Sequence, residues 1–124
     1  DLAFEMPLIL PAESHSLRRL LADQALATGR TLSTVFDVDS YTNIKALVEQ
    51  DLGFSILPRR AIETAVETGQ LIFWPVSAPP LLRTIHLSTR KDRARTSAVA
   101  TVERLTESIL TTLVTSGAWI GTRL

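Results

Sequence analysis

The chain has 124 residues, 45% of them hydrophobic and 21% charged, and its thirteen basic side chains balance thirteen acidic ones. That is enough for one domain but too little for two with separate cores, and the apolar content argues against intrinsic disorder. Balanced charge gives no electrostatic reason to expect nucleic-acid or membrane binding. The absence of cysteine excludes disulfide scaffolds, thiolate–zinc sites, iron–sulfur clusters and thiol catalysis. No apolar run approaches the ~20 residues of a membrane span, no basic signal-peptide region opens the chain, and a cytoplasmic location is the expectation. The sequence starts Asp1-Leu2 rather than with methionine, so a trimmed piece of a longer protein is expected.

Pro7-Leu8-Ile9-Leu10-Pro11 reads as a short buried strand with prolines at its ends. Ser14 or Ser16 is expected to cap a helix with Leu17, Leu20, Leu21 and Ala25 on one face, closed by Gly29. Thr31 to Val38 is β-branched and aromatic and predicts a second strand. Asp39-Ser40 is a turn and cap before a helix with Ile44, Leu47 and Val48 inward. Phe54 to Leu57 predicts a third strand, and Pro58 opens a helix with Ala61, Ile62, Ala65 and Val66 on its inner face. Leu71 to Val76 predicts a fourth strand with Trp74 half in the core, followed by a proline-rich bend over 77–80. Thr84 to Ser88 predicts a fifth strand. Thr96 or Ser97 caps a long last helix striped by Val99, Val102, Leu105, Ile109 and Leu113. The tail over 117–124, with Trp119, has no clear periodicity.

Alternation of strands and helices predicts an α/β fold: three layers, a mostly parallel sheet and helices on both faces. Ligands of such sheets bind outside the carboxyl ends of the strands, near helix N-termini. Here those ends are Pro11 to Ser16, Asp39-Ser40 and Leu57-Pro58.

Catalytic motifs are missing. There is no HExxH, no Gly-x-Ser-x-Gly elbow and no glycine pattern for a nucleotide. Ser14 and His15 are neighbours, but adjacency along a backbone does not aim a nucleophile at its base. They read first as cap and loop residues and second as ligand contacts. The 90–95 run, Arg-Lys-Asp-Arg-Ala-Arg, is short, carries an acid and lacks an adjacent aromatic, so it reads as a solvated turn. Arg18-Arg19 and Arg59-Arg60 open two helices and read mostly as solvated, with one of each pair a candidate to face an anionic ligand. No cofactor, no metal and no enzymatic activity are expected. The stripe on the last helix is long for so small a chain, which points to missing chain or an oligomer interface.

Three stretches stand in a familiar order. They are Pro7-Leu8-Ile9-Leu10-Pro11 with His15-Ser16-Leu17-Arg18, then Asp37-Val38-Asp39-Ser40 leading to Ala46-Leu47-Val48-Glu49-Gln50-Asp51-Leu52-Gly53-Phe54-Ser55-Ile56-Leu57-Pro58, then Arg83-Thr84-Ile85-His86-Leu87-Ser88-Thr89. Together they resemble the effector-binding domain of LysR-type transcriptional regulators, over about residues 5 to 115.

The resemblance implies a subdomain like those of type 2 periplasmic binding proteins. Residues 1–82 would be the second subdomain. Residues 83–124 would be a return crossover strand and the last helix of the first subdomain. The family's N-terminal winged helix-turn-helix is absent, so DNA would be reached only through that missing part. The positions that match the family's cleft wall are Pro11, Ser14, His15, Asp39, Ser40, Phe54, Ser55, Ile56 and Thr84, with His86 a further candidate.

Hydroxyls and helix-start N–H groups suit a small organic anion as effector. Asp39 opposes an anion if it faces the cleft, and is expected instead to cap the helix at Ser40 to Asn43. The implied mechanism is a population shift, in which the effector changes how a homo-oligomer, expected to be a dimer, spaces its DNA-reading helices. The alternative is a free-standing solute-binding module or an oligomerisation domain with no DNA-linked role.

Overall fold

Leu8, Ile9 and Leu10 follow one another, and all three side chains are buried from end to end. In the computed structural model, which describes residues 2–77, 80–90, 92 and 94–119, they make strand β1 (Leu8–Leu10). A strand three residues long with both faces covered is what a continuous aliphatic run demands of a parallel sheet. Its partner is the parallel strand β2 (Thr34–Asp37), paired Leu8 to Thr34, Ile9 to Phe36 and Leu10 to Asp37, with a bulge between Leu8 and Ile9. Helix α1 (Ser16–Ala27) makes the crossover between them.

Alternation along β1 sends Leu8 and Leu10 to one face and Ile9 to the other. Leu8 and Leu10 join Phe4 and the inner face of α1, Leu17, Leu21 and Ala25, in one buried cluster. Each large aliphatic side chain buried in this way contributes ~1.5–3 kcal/mol. Helix α2 (Tyr41–Glu49) also contacts β1 and buries Ile44 completely. The third helix, α3 (Arg59–Glu67), buries only Ala65 of its expected inner face.

The end of α2 shows why the run Gln50-Asp51-Leu52-Gly53 has its sequence. Asp51 takes a left-handed backbone, φ 57°. That turn lets Asp51 N–H donate to the Val48 carbonyl and Leu52 N–H to the Leu47 carbonyl, at 3.0 and 3.2 Å. The last carbonyls of the helix are thereby satisfied. Gly53 then passes so close to β1 that a Cβ there would stand 2.7 Å from the Pro7 carbonyl oxygen. Only glycine lets Phe54 come alongside, with Phe54 N–H donating to Pro7 O at 2.9 Å and Ile9 N–H to Phe54 O at 2.7 Å.

Several expectations are corrected here. The sheet among the described residues has two strands, not five. The expected third strand contributes a single parallel bridge, Leu8 to Phe54, because Pro58 and the start of α3 follow within four residues. Leu71 to Val76 forms no strand, and Trp74 is 73% exposed rather than half in the core. Thr84 to Ser88 is likewise unpaired and exposed. In the bend, Ser77 bridges Pro80, and residues 78 and 79 lie outside the described residues. Helix α1 is capped by His15, not by Ser14 or Ser16.

The chain divides into two compact units, Asp1–Arg83 and Thr84–Leu124. The second carries helix α4 (Ser97–Thr115), started by Thr96, whose hydroxyl accepts from Val99 N–H at 3.3 Å. Thr101, Thr106, Thr112 and Thr115 donate their hydroxyls to carbonyls four residues back, so this threonine-rich helix satisfies its own polar groups. It buries none of its residues. Val99, Val102, Leu105 and Ile109 are all exposed. Trp119 N–H donates to the Leu113 carbonyl at 2.9 Å, and the remainder of the expected tail, 120–124, lies outside the described residues.

Candidate functional site

Parallel strands deliver their following loops to the same end of the sheet. β1 runs into Pro11, which is buried and has no N–H to continue a ladder. The last rung is Val38 N–H donating to the Leu10 carbonyl at 2.9 Å. One residue further on, Ala12 N–H donates to Asp39 Oδ1 at 3.1 Å. This bond pins the loop after β1 to the loop after β2. The Asp39 carboxylate therefore joins two loops and does not cap α2. That cap is Ser40, whose hydroxyl accepts from Asn43 N–H at 3.4 Å.

The loop after β1 is a tight turn, with His15 N–H donating to the Ala12 carbonyl at 2.9 Å. The His15 Nδ1 accepts from Leu17 N–H at 3.1 Å and caps α1. Its ring meets the ring of Tyr41, the first residue of α2, at 5.8 Å between centroids and a tilt of 59°. Two helix starts thus meet through a histidine and a tyrosine. Each start presents first-turn N–H groups that have no acceptor within the helix. Ser14 is exposed beside them. Arg18, only 12% exposed, reaches back from the first turn of α1 to Asp37 at the end of β2, 3.0 Å away. This guanidinium, a candidate to face an anion, is turned to a carboxylate of the chain itself.

Pro11, His15, Asp39 and Ser40 are therefore brought together, with Ser14 at their edge. Phe54, Ser55 and Ile56 sit alongside β1. Phe54 is 42% exposed, and Ile56 packs partly buried against the core. Ser55 donates its hydroxyl to the Ile9 carbonyl at 2.8 Å, which stands in for a ladder bond that the short third segment does not make. Thr84 opens the second unit and is exposed there, as is His86. Sequence reasoning missed Tyr41 and the Ala12 N–H. An aromatic directly after a capping serine was a readable sign of the first, and a backbone donor leaves no sign in a sequence.

Of the 90–95 run, residues 91 and 93 lie outside the described residues, and Arg90, Asp92 and Arg95 are exposed and ion-paired. Arg90 grips Asp92 with two nitrogens, which holds the Asp92 carboxyl below its usual range and raises the guanidinium. Arg95 pairs with Glu103 of α4.

The model of the LysR substrate-binding domain matches residues 2–108. The chain belongs to the LysR substrate-binding domain family. Such a domain implies an α/β fold of the periplasmic-binding-protein kind, and the parallel β1–β2 pair with its crossover helix is the part of it seen among the described residues. The chain is also similar to the HTH-type transcriptional regulator BbuR of Bordetella bronchiseptica, 25% identical over 121 residues. That alignment takes in 98% of this chain but 37% of BbuR, so the chain spans a little over a third of the length of that relative. No solved structure matches. Among the described residues no helix is long and apolar enough to cross a membrane.

Proposed function

We propose that this LysR substrate-binding chain senses a small-molecule effector through the paired loops after β1 and β2, as one wall of a cleft in a cytoplasmic transcriptional regulator. The observation that carries the reading is the Ala12 N–H to Asp39 Oδ1 bond. It pins the loop after β1 to the loop after β2, and so holds the His15 and Ser40 caps at the carboxyl end of a parallel pair with exposed Ser14 at their edge. N–H groups at helix starts and neutral hydroxyls hold a carboxylate well, so the effector proposed is a small organic anion. Because Asp39 already accepts from Ala12, its charge is partly engaged within the protein.

The role is binding, without catalysis. Phe54 and Ile56 offer apolar surface for the body of the ligand, and Thr84 is a further proposed effector contact. Residues 1–82 act as one subdomain, and 83–124 belong to the other. Effector binding favours one arrangement of the subdomains, and a homodimer passes that change to a DNA-reading part of the regulator. Such couplings are typically ~1–3 kcal/mol.

Calorimetric titration of the chain with a panel of small mono- and dicarboxylates tests the reading. At least one acid is expected to bind, and Ser40→Ala is expected to weaken it by about tenfold, the loss of a hydrogen bond to a charged group. Binding that Ser40→Ala and Ser14→Ala both leave unchanged would place the effector elsewhere.

A further inference from the structure

We propose that His15 is a proton-operated cap on α1. Its Nδ1 accepts the Leu17 N–H, so this nitrogen carries no proton and the neutral ring holds its proton on Nε2. A second proton has only Nδ1 to bind. The acceptor then becomes a donor facing another donor, and a cation stands at a helix start, where the aligned N–H groups disfavour it. Histidine is the side chain whose ordinary titration falls between pH 5 and 8.

The other helices are started differently. Ser40 and Thr96 cap α2 and α4 with hydroxyls that do not titrate in this range, and Pro58 starts α3 with no side-chain bond.

The groups near the imidazole come from α2, from α1 and from the turn before it. From α2 comes the uncharged Tyr41 ring. From α1 come Arg18, which is turned to Asp37, and Arg19, which is exposed. From the turn come Glu13, which is exposed, and Asp39, whose Oδ1 accepts from Ala12. Among the described residues none of these is hydrogen-bonded to the ring. Protonation therefore releases the side-chain cap on the first turn of α1. This stands on the cap geometry and holds whether or not the loop contacts an effector.

Amide hydrogen exchange read by NMR on the full chain, from pH 8 to pH 5, tests the cap. His86→Gln makes His15 the sole histidine. Corrected for intrinsic exchange, the protection of the Leu17 amide is expected to fall about fivefold as His15 takes up its proton, the factor to which a cap of ~1 kcal/mol corresponds. His15→Ser in the same background keeps a hydroxyl cap and is expected to hold the protection level over the whole range. Leu17 protection that is equal on both sides of the His15 titration overturns the proposal. So does a fall of the same size in the His15→Ser chain.

Discussion

The unit around β1 and the unit around α4 use the same kinds of residue to opposite ends. In the first, Leu8, Leu10, Leu17, Leu21 and Ala25 close on one another, and a short strand is buried on both faces. In the second, Val99, Val102, Leu105 and Ile109 form an equally regular stripe along a longer helix and stay exposed. A helical period says that a segment has a face to bury. It does not say what will bury it. The long stripe on α4 is a stronger sequence signal than the face of α1, yet it marks no core among the described residues.

Substitutions should separate the two units sharply. Leu21→Ala is expected to destabilise the chain by ~2–5 kcal/mol, since it opens a cavity in a fully packed site. Leu105→Ala, on a side chain 56% exposed, is expected to change stability by less than ~0.5 kcal/mol. Urea denaturation of both variants makes the comparison, and equal losses would break it.

Within the first unit, Gly53→Ala is the next largest change. The added methyl meets the Pro7 carbonyl, a backbone atom that cannot step aside, at a cost of ~1–3 kcal/mol. The loss should show in the same titration, with weakened protection of the Ile9 and Phe54 amides. Asp51→Gly should act the other way. It relieves a left-handed backbone at a non-glycine residue and is expected to stabilise the chain by up to ~1 kcal/mol. A loss of stability would show that the Asp51 side chain contributes more than its backbone costs.

The smallest effect belongs to the second unit. With its carboxyl held low by Arg90, Asp92 keeps its ion pair through neutral pH and loses it only as acid protonates the depressed group. The pair is fully exposed, so little stability goes with it. Following the Asp92 carboxyl carbon by NMR through an acid titration checks this, and the midpoint should rise in Arg90→Gln.

The parts of the fold that were legible share one property: their structure is decided locally. Proline-bounded Leu8–Leu10 and the face of α1 both follow from residues close together in the chain. The failures depend on partners far along the chain. Phe54 to Leu57 reads as a strand, but among the described residues it bridges only Leu8, far back along the chain, before Pro58 and α3 cut it short. Leu71 to Val76 has strand composition and no strand beside it. At the candidate site, Ser40 and His15 were named from sequence. The exchange of roles between them and Asp39 was not, because either acid or hydroxyl can cap a helix, and the choice was made by a backbone N–H at Ala12, 27 residues away.

Whether the two pinned loops at the strand ends hold an effector is read most directly from backbone amide shifts of the chain during titration with the small carboxylates that bind it. The perturbed amides are expected to cluster at residues 11–18 and 39–43, and Asp39→Asn, which weakens the pin on Ala12, is expected to scatter or abolish them. Shifts confined to residues 84–119, with the strand-end loops silent, would contradict this.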